Sequence, residues 1–172
     1  MEPEPWLRGI LAGIDPVRGH LLRASEQIRE DIRRAVGSLS VEQLWAKPCG
    51  ITPAGFHAKH LAGSTERLCT YAEGGALSPE QIAAMERESE GGEYADELVA
   101  RVDAAFGHYD AIVRSLRPDD FGAIRHVGRK KLPVTLIGLL IHIAEHGARH
   151  AGQAISAEKA SQSPQPRAGS RL

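Results

Sequence analysis

The 172-residue sequence predicts an all-α protein, a four-helix bundle with short extra helices in its connections. Two observations carry that expectation. Four long segments repeat apolar residues every three or four positions, with charged residues between them, and no segment shows a convincing strand alternation. Helix-start signals, an Asp, Ser or Thr followed by Pro, stand at Asp15-Pro16, Thr52-Pro53 and Ser78-Pro79. The bundle is expected to occupy residues 1–157 as a single domain, long enough to bury a core, with 158–172 as a disordered Ser/Pro/Gln/Arg-rich tail.

In chain order, Trp6 to Ile14 reads as a short apolar lead-in lying across a bundle end. The first long helix is expected from Asp15-Pro16 to about Val36, with Val17, Leu21, Ala24, Ile28, Ile32 and Val36 on one face and Gly37 closing it. Ser40-Val41-Glu42-Gln43 is a small capped turn, and Trp45 is expected to plug the bundle beside Pro48. Thr52-Pro53 opens the second long helix, which carries Phe56, His57, His60, Leu61, Leu68 and Tyr71 to Gly74-Gly75. Ser78 caps a short helix to about Arg87, and Glu88 to Gly92 reads as a polar break. The third long helix spans about Tyr94 to Leu116. Arg117 to Leu132, with its basic Arg125–Lys131 stretch, reads as a long ordered loop with extended pieces, functional or merely connecting. Pro133-Val134-Thr135 is expected to open the last helix, which runs to about Ala157. The roughly 18 residues between the second and third long helices can run back along the bundle, making those two helices parallel neighbours.

A net charge of −1 with 25% charged residues gives no reason to expect nucleic acid or an anionic membrane as partner. No apolar run reaches membrane length, and the opening Met1-Glu2-Pro3-Glu4-Pro5 lacks the pattern of a leader peptide. Cys49 and Cys69 stand in no metal-like or redox-like spacing. A cytoplasmic protein is expected.

Histidine is the compositional oddity. Of eight, five fall in two short stretches: His57 and His60 on the second helix, and His142, His146 and His150 on the last. A helix turns about 100° per residue, so each four-residue step returns the side chain to within about 40° of the same face. The last three therefore form a stripe, and two on adjacent turns can converge on one metal ion. All three cannot, because the outer pair is about 12 Å apart along the axis. Glu145 precedes His146 rather than following the first histidine, so this is not the zincin motif. A catalytic metal site wants three protein ligands and an open position. The third ligand is expected from His57 or His60, with the other beside the site or against substrate.

The segments Gly55-Phe56-His57-Ala58-Lys59-His60-Leu61-Ala62-Gly63-Ser64, with Arg67-Leu68 and Tyr71, and His142-Ile143-Ala144-Glu145-His146-Gly147-Ala148-Arg149-His150-Ala151-Gly152-Gln153 resemble the DinB-like family. The resemblance covers most of residues 6–157. The family pattern is a histidine in the second helix and His-x-x-x-His followed by Gly-Gln in the fourth, which maps here to His60, His146, His150 and Gly152-Gln153. It implies an up-down-down-up bundle, a divalent transition metal (nickel, zinc or similar) on three histidines, and a homodimer. It also implies a relation to S-transferases and isomerases that use low-molecular-weight thiols.

The function expected is thus a metal-dependent enzyme acting on a small-molecule substrate, activating water or a thiol for hydrolysis or S-transfer. Glu145 or His57 would relay protons, Arg129 would hold an anionic substrate group, and Gln153 and His142 would stand behind the ligands. The alternative is a non-catalytic metal-binding or stress-responsive interaction protein on the same scaffold.

Overall fold

The structure, a computed structural model, describes residues 2–162. Most of the expected tail, residues 163–172, lies outside the described residues. Four long helices dominate: α1 (Pro16–Val36), α3 (Ala54–Ala72), α5 (Ala95–Ser115) and α6 (Leu136–Gln162). The short α2 (Val41–Trp45) and α4 (Pro79–Glu86) sit in the connections. The start signals act as expected in two cases. The Asp15 side chain accepts from the backbone N–H groups of Val17 and Arg18, and Ser78 closes a reciprocal cap with Gln81. Thr52 does not cap α3; Pro53 occupies the cap position with no side-chain bond.

Contacts along the helices give their directions. Arg29 and Arg33 of α1 meet Asp110 and Asp103 of α5 at 2.8 and 2.7 Å, so those helices are antiparallel. Lys59, early in α3, pairs with Glu93 just before α5, while Glu73, just past the end of α3, meets His108 well along α5. α3 and α5 therefore run parallel. His57 opposite His150 and His60 opposite His146 make α3 and α6 antiparallel. The order is up-down-down-up, with the second and third long helices as parallel neighbours.

The core is built from Ile28, Ile32, Leu61, Phe106, Tyr109, Leu140 and Ile143, all essentially inaccessible. The Tyr109 hydroxyl donates to the Leu140 carbonyl at 3.1 Å, satisfying its one buried polar atom. Gly147 lets α6 approach closely, since a Cβ there would stand 2.6 Å from Ile28 Cδ1 and 3.1 Å from Phe106 Cζ. That approach fixes the helix turn that carries His146.

Several expectations are corrected. The lead-in does not cross a bundle end; Arg8 binds Glu26 and Glu30 at 2.6 Å, which lays the segment alongside α1. Val17 is largely exposed, and Leu44 rather than Trp45 is the fully buried plug. The stretch after α5 folds into an antiparallel hairpin, β1 (Ile124–Val127) and β2 (Leu132–Thr135), with Ile124 opposite Thr135. Pro133 is tolerated because both strands are edges. Pro133–Thr135 thus ends a strand, and α6 begins at Leu136, where the Thr135 hydroxyl accepts from the Gly138 N–H at 3.2 Å. At its far end α6 continues through Gln162, five residues beyond Ala157, into what reads from composition as tail. No described helix is long and apolar enough to cross a membrane. Cys49 and Cys69 are both free, one exposed and one buried.

Candidate metal centre

Antiparallel packing of α3 on α6 sets the two histidine clusters face to face. His60, His146 and His150 each offer a ring nitrogen, and the three nitrogens lie within 4.8 Å of one another. His60 Nε2 is 3.2 Å from His146 Nε2. Two imidazole nitrogens on one tetrahedral ion, each about 2.0–2.1 Å from it, would be about 3.3 Å apart. The spacing therefore fits a divalent transition metal, and imidazole nitrogen suits nickel, copper, zinc and iron alike.

The electrostatics agree. Burial, with the neighbouring His142 and His60, pushes the pKa of His146 down to about 4. Burial, with His60 and His146 beside it, does the same for His150, also to about 4. Both rings are neutral at pH 7, and a neutral imidazole is the form that ligates a metal. Beside them His57 is buried, 6% exposed, with Nδ1 3.1 Å from His150 Nδ1. Burial first, then His60, lowers its pKa as well.

His60 is held from behind by a residue that sequence patterns did not single out. Glu88, in the link between α4 and α5, accepts from His60 Nδ1 at 2.6 Å and from Arg67 Nη1 at 2.6 Å. Glu88 and Arg67 are each 8% exposed. Burial works to raise the Glu88 pKa, but the His60 and Arg67 bonds outweigh it and hold the carboxyl below its usual range. With Nδ1–H committed to Glu88, His60 presents the lone pair of Nε2 toward His146. Gly63 makes room for this, since a Cβ there would meet Glu88 Oε1 at 2.7 Å and Arg67 Nη1 at 2.9 Å.

The segment expected as a polar break is therefore an ordered strap across α3. Lys59 Nζ donates to the Glu90 carbonyl at 2.7 Å and pairs with Glu93 at 2.6 Å. Trp45 Nε1 donates to the Glu93 carbonyl at 3.0 Å. The signal was on α3 itself: His60, Gly63 and Arg67 share one face, and a buried arginine requires an acceptor from another element.

Comparison with known proteins accords with this geometry. A family model described as the DinB superfamily matches residues 24–154. The chain belongs to the DinB superfamily. A crystal structure from Exiguobacterium sibiricum, described as that of a candidate member of the DinB family, is similar at 16% identity and a TM-score of 0.67, over 86% of this chain and 93% of that one. YfiT from Bacillus subtilis, described as a probable metal-dependent hydrolase with an unusual four-helix bundle topology, is similar at 19% identity and a TM-score of 0.65, over 88% and 91%. Likeness at these identities shows the fold. No match to a curated protein was found.

In this DinB-superfamily chain the other candidate residues scatter. His142 is exposed and outside the three-histidine group, its ring stacked on His146 with centroids 5.8 Å apart. Gln153 is exposed and lines an open pocket of about 330 Å³ with Thr52, His57 and Arg149. Glu145 is exposed and makes no hydrogen bond or ion pair among the described residues. Arg129 sits exposed in the hairpin turn, likewise without a partner among the described residues. Arg149, one residue before His150, was overlooked. It is exposed, and its charge helps to lower the pKa of both neighbouring histidines.

Proposed function

We propose that the protein is a metal-dependent enzyme acting on a small-molecule substrate, with a divalent transition metal on His60, His146 and His150. The observation that carries this reading is the convergence of three ring nitrogens within 4.8 Å, two of them on rings held neutral. When bound, such an ion is a Lewis acid that makes water or a low-molecular-weight thiol nucleophilic at neutral pH, the chemistry of hydrolysis or S-transfer.

The chain's own residues have distinct tasks. Glu88 fixes the His60 tautomer and ring orientation, and Arg67 keeps Glu88 ionised and in place. His150 donates through Nδ1 to His57, which leaves the other nitrogen of His150 for the ion. The buried His57 spends its one lone pair on that bond, so it sets the His150 tautomer rather than relaying protons. Arg149 and Gln153, in the same pocket, hold the polar or anionic end of the substrate, a task the hairpin-turn Arg129 does not share. The exposed Trp6, Leu7 and Ile10 offer an apolar surface to a second copy in a homodimer, which light scattering tests. The two free cysteines support a cytoplasmic location.

One observation favours a non-catalytic reading. His57 Nδ1 lies 3.1 Å from His150 Nδ1, and by giving up that bond and turning toward the three converging nitrogens it would complete a four-histidine shell, which is structural.

The test is elemental analysis of untagged wild type and of His60→Ala, His146→Ala and His150→Ala. One transition metal per chain, lost in all three variants, is expected. Retention in any of them refutes the ligand set. Cobalt substitution separates the two readings: a spectrum unchanged by azide or thiol would mean a closed, structural shell.

A further inference from the structure

A second cavity adjoins the histidines on the side away from His57. It measures about 460 Å³ and lies between the hairpin, α3 and α6, lined chiefly by Leu68, Val127, Leu132, Val134, Leu139 and His142. Its size is that of a small-molecule site. No Asp, Glu, Lys or Arg lines it, and the hydroxyl of Thr135, at its edge, already accepts from the Gly138 N–H. His142 is its one titratable residue, and that ring stacks on His146. The cleft thus ends at His142, whose ring packs on His146, one four-residue step, about 6 Å, along α6. Leu132, 59% exposed, leaves apolar surface in water that an apolar occupant would cover.

We infer that this cleft receives the hydrocarbon part of the substrate whose reacting group lies at His60, His146 and His150. The substrate class is an uncharged alkyl or aryl chain joined to a carbonyl or similar electrophilic head. The chain lies under the hairpin, and the head passes His142 to reach the centre. The polar pocket beside His57 and Arg149 takes the opposite end of the molecule. This inference rests on the proposed metal centre, which supplies the reacting end.

The test uses the full chain loaded with zinc and a series of straight-chain hydroxamic acids, whose heads chelate the ion. Affinity is expected to rise roughly four-fold for each methylene that enters the cleft, hence about sixty-fold between the two-carbon and eight-carbon compounds if three enter. Leu132→Glu, at an exposed position, is expected to abolish that gain while leaving acetohydroxamate affinity and zinc content unchanged. Equal affinities along the series, with acetohydroxamate bound, would overturn the cleft and leave the metal centre standing. Failure to retain zinc would instead overturn the metal centre. Titration of the metal-free protein with 1-octanol would then decide the cleft alone: methyl shifts at Leu68, Val127, Leu132, Val134 and Leu139 uphold it, and their absence overturns it. A dimer that dissociates on Leu132→Glu, with unchanged affinity for the long-chain compound, would make the cleft a subunit contact and refute the proposal.

Discussion

Replacing Glu88 by Gln is the change that best separates the strap's role from ordinary packing. The carboxylate has two acceptor oxygens, one for His60 Nδ1–H and one for Arg67, each at 2.6 Å. Gln keeps the shape but has one carbonyl and one amide. If the carbonyl stays on Arg67, the amide NH₂ faces His60 Nδ1, which must then accept. The His60 proton moves to Nε2, the nitrogen 3.2 Å from His146 Nε2, where it blocks the ion. If the carbonyl turns to His60, the amide opposes a buried guanidinium. Losing a partner behind a metal ligand typically weakens binding about 10- to 100-fold, or roughly 1.4–2.7 kcal/mol. We expect a loss in that range for zinc, measured by competition with a chromophoric chelator. ¹⁵N spectra of the His60 ring should show the proton moving from Nδ1 to Nε2. Affinity within two-fold of wild type, with the Nδ1–H tautomer retained, would refute the idea that Glu88 orients His60. Denaturation of the metal-free proteins controls for loss of folding.

Gly63→Ala puts a methyl against the same carboxylate, so it should weaken zinc binding in the same direction as Glu88→Gln and destabilise the protein by about 1–3 kcal/mol. Undiminished affinity there would mean the strap is not needed to hold Glu88. Gly147→Ala should cost a similar roughly 1–3 kcal/mol by pushing α6 off Ile28 and Phe106, readable from urea midpoints. His142→Ala should keep metal stoichiometry, because His142 lies outside the converging group. Metal loss on that change would move the site along α6. For pH, the folded values of His146 and His150 are about 4, against about 6.5 in an unfolded chain. The unfolded state binds more protons in that window, so the metal-free protein keeps this stability above about pH 6.5 and loses it as pH falls toward 4. Its Tm should fall on acidification, less steeply in His146→Gln. An equal slope in the variant would show that the ring is not held neutral.

Much of the fold was legible in the sequence because helices advertise themselves locally. Apolar spacing and the Asp15 and Ser78 caps place helices without reference to the rest of the chain. The histidine stripe was equally legible, since a four-residue spacing alone puts His146 and His150 on adjacent turns. The choice of His60 over His57 was not local. Both stand on α3, and only the register of α3 against α6 sets His60 Nε2 on His146 and leaves His57 beside His150. Glu88 was hidden for the same reason: it comes from a connection between other helices, and a glutamate in a polar break looks like any solvated loop charge. The hairpin was read only as extended pieces, because strands of four residues carry too little alternation to declare a pairing partner. Sequence determined the helices and the supply of histidines. Tertiary packing decided which nitrogens meet, which carboxylate stands behind them, and where an apolar cleft opens beneath the hairpin, because each of those depends on distances between elements that no local pattern encodes.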